Sequence, residues 1–226
     1  LDDRDAASQP MKGLAHLVLI DVVEGLAQGK ALDLLQAAAI EDRAVQGTGT
    51  TDFAALEGSR AVVVTAGLAR KPGMSRDDLL VANAHIVGPI ATHIARLAPD
   101  AAVIVVTNPL DVMTYLVLQR TGFSRHRVLG MAGVLDSGRL RAFVAQRLKE
   151  DPAKIQAMVL GSHGDLMVSL MNSVTAGGTP LPSLLPAQEI EGLVARTRDA
   201  GAEIVALLKQ SSAYYAPASG VVQMLQ

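Results

Sequence analysis

His163 stands in GSHGD, flanked by small residues just after an aliphatic run, a setting that leaves its imidazole accessible. An imidazole held by a buried carboxylate on one ring nitrogen takes up a proton more readily on the other, which is general acid/base chemistry. Asp136 and Arg139, three apart in GVLDSGRLR, share one face of a helix and can present a carboxylate and a guanidinium to the same cavity. Taken alone, such a spacing more often makes a surface ion pair of little energetic value. Arg70 and Arg76 lie on either side of a Lys-Pro-Gly turn in ARKPGMSRDD. With Gly73 as a hinge, that loop can close over an anion and exclude water, and together with Arg139 its guanidinium groups suit a small dicarboxylate. The plainer reading is a solvated polar connection.

Asp21 ends the run LVLID, where a strand-terminal carboxylate can accept both ribose hydroxyls of an adenosine and repel a 2'-phosphate; a turn residue or helix cap is an equal reading. Asn108 precedes Pro109 at the end of AVIVVTNP and can donate its amide to a substrate oxygen or simply start a turn. The remaining histidines have blander settings, with His85 and His93 on a predicted helix as packing or surface residues and His16 and His126 in turns. One His and one Asp, His163 and Asp165, are too few ligands for a metal site, so no metal is expected.

The elements that must position these groups are legible as alternation. LVLID (17–21), AVVVTAG (61–67), AVIVVTNP (102–109) and RVLGM (127–131) are nearly continuous in Val, Ile and Leu, as in parallel strands buried on both faces. Between them GKALDLLQAAAI and DDLLVANAHIVGPIATHIARLA supply amphipathic crossover helices, the second opened by a capping box of Ser75 and Asp78. Gly122 lies where a helix from Leu110 should end. This first part reads as doubly wound α/β. After Met131 the pattern changes to a helix LDSGRLRAFVAQRLKE, two antiparallel strand regions IQAMVLGSHGD and LMVSLMNSVTAGG, and a helix from Pro186 to Lys209. The expected domains are therefore 1–131 and 132–226.

Half of the 226 residues are hydrophobic, enough for a substantial core. With 20 basic against 22 acidic side chains the net charge of -2 offers no field for nucleic acid. The absence of cysteine excludes disulfides, thiolate catalysis and the usual structural zinc sites, and suits an intracellular protein. No apolar run approaches the roughly 18 residues that span a bilayer, and LDDRDAASQPMKG is unlike a signal peptide, so a soluble chain without a membrane partner is expected.

Five segments, ARKPGMSRDDL, VVTNPLDVMTY, GMAGVLDSGRLR, LGSHGDLMVSL and SAYYAPA, in this order and at these spacings, closely resemble the lactate/malate dehydrogenase family, its malate branch in particular, from about Leu17 to the last residue. The resemblance implies a Rossmann-like doubly wound parallel sheet followed by an α+β substrate domain, and NAD-dependent interconversion of malate and oxaloacetate by hydride transfer. It implies that His163 is the acid/base oriented by Asp136, that Arg139 binds the carboxylate beside the reacting carbon and Arg70 the distal one, and that Arg76 and Asn108 support the reacting oxygen. It also implies cofactor contacts from Asp21, Asn83, Thr107 and Asn108, a homodimer or homotetramer, and a cytoplasmic location with the mitochondrion as the alternative. The sequence departs from the family in lacking an opening strand with a G-x-G-x-x-G turn and in stopping soon after SAYYAPASGVVQMLQ, and reads as a fragment missing both ends. Ser162 stands where a second Gly is common, and Ser169 where Pro is common. A lactate or other 2-hydroxy-acid dehydrogenase is the nearest alternative, opposed by Arg70; a non-catalytic fragment of the same fold is the other.

Overall fold

Runs rich in β-branched residues form the parallel strands, and the structure, a computed structural model, describes residues 16–68, 75–209 and 212–226. In chain order the first part contains Leu17–Ile20 (β1), Leu26–Ile40 (α1), Gly47–Thr50 (β2), Ala61–Val64 (β3), Arg76–Leu97 (α2), Ala102–Val105 (β4), Leu110–Thr121 (α3) and Val128–Gly130 (β5). β3, β4 and β5 make one parallel sheet, with Val64 opposite Val105 and Val105 opposite Gly130. β1 pairs in parallel with β2, and Ile20 packs against the core of the larger sheet.

The second part contains Gly133–Leu148 (α4), Ile155–Gln156 (β6), Val159–Gly161 (β7), Met167–Ser169 (β8), Thr175–Ala176 (β9), Thr179–Pro180 (β10), Ala187–Leu208 (α5) and Tyr215–Leu225 (α6). The two long strand regions read from the sequence are each broken in two: β7 pairs with β8 and β6 with β9, all antiparallel. Around the break Leu170 donates its N–H to the Met158 carbonyl at 2.9 Å, so hydrogen bonding continues outside regular ladder geometry.

Side-chain alternation on β4 explains the layers. Val103 and Val105 pack with Val87 and Ile94 of α2 and Met113 and Val117 of α3. Ile104 points the other way, into a cluster with Met131, Leu135 of α4, and Val221 and Met224 of α6. Helices thus cover both faces of the sheet, the doubly wound arrangement expected. A second core joins Leu140 and Val144 of α4 to Ile155, Val174 and Leu181. Among the described residues no helix is long and apolar enough to cross a membrane.

Local signals set the helix ends. Gly122 adopts φ 67° and donates its N–H to Leu118 at 3.1 Å, closing α3. Ser75 caps α2 by accepting the Asp78 N–H at 3.0 Å, while the Asp78 carboxylate accepts the Ser75 hydroxyl at 2.7 Å and its N–H at 3.0 Å. These bonds, the hydroxyl's first, hold the Asp78 carboxyl below its ordinary 3.8. A lowered value means that this contribution is present above the unfolded value and is lost as pH falls through the folded one. Ser75→Ala is therefore expected to lower Tm by roughly 2–4 °C at neutral pH, with the gap from wild type narrowing below the ordinary carboxylate range but not vanishing, because the cap to the Asp78 N–H does not titrate, as thermal melts across pH would show.

Candidate active site

The carboxyl ends of the parallel strands carry the polar groups, because a strand that runs buried to its end delivers the next residues to the sheet edge. Past β3 and β4 the two exits are stapled together: the Thr107 hydroxyl donates to the Ala66 carbonyl at 2.8 Å. Asn83 of α2, 0% exposed, accepts the Leu68 N–H at 2.7 Å and donates to the carbonyls of Leu68 at 3.2 Å and Asn108 at 2.6 Å. Its amide is fully committed to backbone. Both side chains are buried and bonded to main chain, Asn83 holding Leu68 and Asn108 and Thr107 holding Ala66, so they shape the edge at which a cofactor is expected. Asn108 itself is exposed at that edge. A Cβ at Gly67 would lie 2.6 Å from Thr107 Cγ2 and 3.1 Å from Asn83 Oδ1, so only glycine lets the three segments meet.

The second group is built on α4. Asp136, 2% exposed, lies in the helix's first turn, where the aligned peptide dipoles favour a carboxylate. Its Oδ1 accepts from Arg139 Nη1 at 3.0 Å and its Oδ2 meets His163 Nδ1 at 2.8 Å. His163 comes from the turn between β7 and β8, brought over α4 because the Val159 N–H donates to Ser137 Oγ at 2.9 Å, one residue from Asp136. That turn opens at Gly161 (φ 85°), where a Cβ would also strike the Leu166 carbonyl at 2.9 Å. The His163 N–H is accepted by Asp111 Oδ2 of α3 at 3.2 Å, a contact that the sequence reading did not foresee. Arg139, 12% exposed, has a buried Nε without a hydrogen-bond partner. Gly201 of α5 lies against that guanidinium, where a Cβ would sit in ordinary contact at 3.5 Å from Nη2.

A carboxylate can only accept, so Nδ1 of His163 carries the proton it gives Asp136 and Nε2 is the nitrogen left for a ligand. An imidazole with Nε2 left open therefore sits beside a guanidinium with unspent donors, a pairing suited to a carboxylate next to an exchangeable hydroxyl. Asp21 ends β1 with Oδ1 accepting the Val23 N–H at 2.9 Å, and Oδ2 has no partner among the described residues. Arg70 lies outside the described residues, and Arg76 begins α2 with its side chain also outside them. Among the described residues no three His, Cys, Asp or Glu side chains form a metal-binding group. His93 stacks on Phe53 at 4.5 Å, and His85 is exposed on α2.

Residues 5–130 match the model of the lactate/malate dehydrogenase NAD binding domain, and residues 133–226 that of the lactate/malate dehydrogenase alpha/beta C-terminal domain. A malate dehydrogenase of Methanosarcina mazei is 52% identical over 211 residues, which are 93% of this chain and 69% of that protein. The apo malate dehydrogenase from Picrophilus torridus superposes with a TM-score of 0.92 at 40% identity, covering 97% of this chain and 70% of that one. A lactate dehydrogenase from Eimeria maxima with NADH and oxamate gives 0.88 at 38% identity, covering 97% of this chain and 68% of that one. The backbone alone therefore does not separate the two activities; side chains must.

Proposed function

This chain belongs to the lactate/malate dehydrogenase family, and from that we propose that it interconverts malate and oxaloacetate with NAD as its cofactor. The observation that carries the reading is the contact of His163 Nδ1 with Asp136 Oδ2 at 2.8 Å, with Arg139 on the other oxygen at 3.0 Å. Oδ2 of Asp21 at the end of β1, without a partner among the described residues, fits a ribose diol. When bound, NAD supplies the acceptor for the hydride that leaves malate C2, at nicotinamide C4. The chain handles the proton and the geometry. Nε2 of His163 takes the C2 hydroxyl proton as the C2–H bond breaks and returns it in the reverse direction, while Asp136 opposes the charge that develops on the ring. Arg139 grips the carboxylate beside C2. Arg76 and Asn108 steady the reacting oxygen, and Arg70 takes the distal carboxylate, closing over the substrate with its loop. A homodimer or homotetramer in the cytoplasm completes the proposal, with the mitochondrion as the alternative compartment.

Arg70 is the residue that distinguishes a four-carbon diacid from a three-carbon monoacid. Arg70→Gln is expected to lower kcat/KM for oxaloacetate by about two to three orders of magnitude and to leave pyruvate turnover nearly unchanged, because only the former loses an ion pair. Equal losses for the two substrates in steady-state assays would refute the assignment.

A further inference from the structure

We propose that Asp111 is a positioning residue for the acid/base loop, holding the main chain of His163 while Asp136 holds its ring; this rests on the reading of His163 as the proton carrier. His163 lies between Gly161 (φ 85°) and Gly164 (φ 145°), so the chain on both sides of it includes a residue free to turn. A ring tethered at Nδ1 alone can still pivot about that bond and swing Nε2 across the cleft. The second tether removes this freedom: the His163 N–H donates to Asp111 Oδ2 at 3.2 Å, across 52 residues of chain. Two carboxylates on two helices, α3 and α4, thus fix one residue at two points, which is what a transfer sensitive to shifts below 1 Å requires.

An acidic residue in the first turn of a helix is ordinarily explained by the helix dipole, and Asp111 has that position in α3. Its bond does not stay within the helix, however. α3 has no side-chain cap, and the Asp111 carboxylate reaches instead to the loop between β7 and β8. The same stretch has a second tie, since the Asn108 carbonyl accepts from Asn83, which also holds Leu68 just before residue 69. Residues 108–111 therefore anchor both the acid/base loop and the base of the arginine-bearing segment.

Asp111→Ala is expected to lower kcat for oxaloacetate about 10- to 100-fold with KM for NADH changed by less than about twofold, the size of effect seen when a residue that orients a reacting group is lost. Asp111→Asn keeps an oxygen to accept the N–H and is expected to restore kcat to within about threefold of wild type, since position rather than charge is at stake. Hydrogen exchange at the His163 amide should be faster in Asp111→Ala and near wild type in Asp111→Asn. The proposal is overturned if Asp111→Ala leaves kcat and exchange unchanged, or if both variants lose equally. Absence of oxaloacetate turnover in the wild type would sink the functional reading instead, and amide exchange would still decide whether Asp111 holds the loop.

Discussion

Asp136→Asn is expected to lower turnover of oxaloacetate by about 10³- to 10⁴-fold while KM for NADH changes little. The carboxylate serves two donors at once, His163 Nδ1 at 2.8 Å and Arg139 Nη1 at 3.0 Å. A carboxamide cannot. If its oxygen faces the imidazole, its NH2 confronts the guanidinium, two donors against each other. If it flips, the NH2 confronts Nδ1, which must then give up its proton, so the neutral ring carries its proton on Nε2 and has no base to offer the substrate. With Asp136 2% exposed, water has no room to mend either arrangement. Leaving the guanidinium of Arg139 without its counter-charge should also cost roughly 3 kcal/mol, the low end for breaking a buried pair, because that side chain keeps some solvent contact. Steady-state kinetics and denaturant melts on one preparation separate the two losses. A drop in kcat below about tenfold would mean that Asp136 does not govern the proton on His163.

What could be read ahead of the structure was whatever is decided locally. Val103, Ile104 and Val105 announce a strand buried on both faces because each face meets helices, and Ser75, Asp78 and Gly122 announce helix ends through bonds to residues three or four away. Asp136 and Arg139 could be paired from their spacing alone. Their meeting with His163, 27 residues on, depends on Ser137 drawing β7 onto α4, which no local pattern encodes, so only the family resemblance brought the three together. Asn83 was expected among the cofactor-binding residues, and how its amide is spent could not be read ahead. Its three partners lie on two distant loops, and an asparagine on a helix gives no sign of which way it will be spent. Two strands were missed altogether, the short β10 and β2, whose GTGT lacks the aliphatic signature. Gly49 is there because α1 lies too close for a side chain.

That closeness gives the second large effect. A Cβ at Gly49 would fall 2.2 Å from the Ala27 carbonyl carbon and oxygen and 2.3 Å from the Gln28 nitrogen. These are backbone atoms of α1, so no rotamer change relieves the collision and the helix itself must lift from the strand. Lifting it exposes Ala27, Ala31 and Ala38, the small buried residues that bring α1 down onto β2. Gly49→Val is therefore expected to cost about 3 kcal/mol or more, the upper range for overpacking, lowering Tm by roughly 6–12 °C. Function should follow, because the Asp21 N–H is held by the Thr50 carbonyl at 3.2 Å, so displacing β2 displaces the proposed ribose-binding carboxylate and weakens NADH binding. Gly29, on the same helix with nothing within 4 Å of a built Cβ, is the control. Gly29→Ala should raise stability by about 0.5–1 kcal/mol through helix propensity. Thermal melts and NADH fluorescence titrations of the two variants should thus move in opposite directions in stability and only Gly49→Val in affinity; an unchanged Tm for Gly49→Val would show that α1 does not rest on β2 in this register.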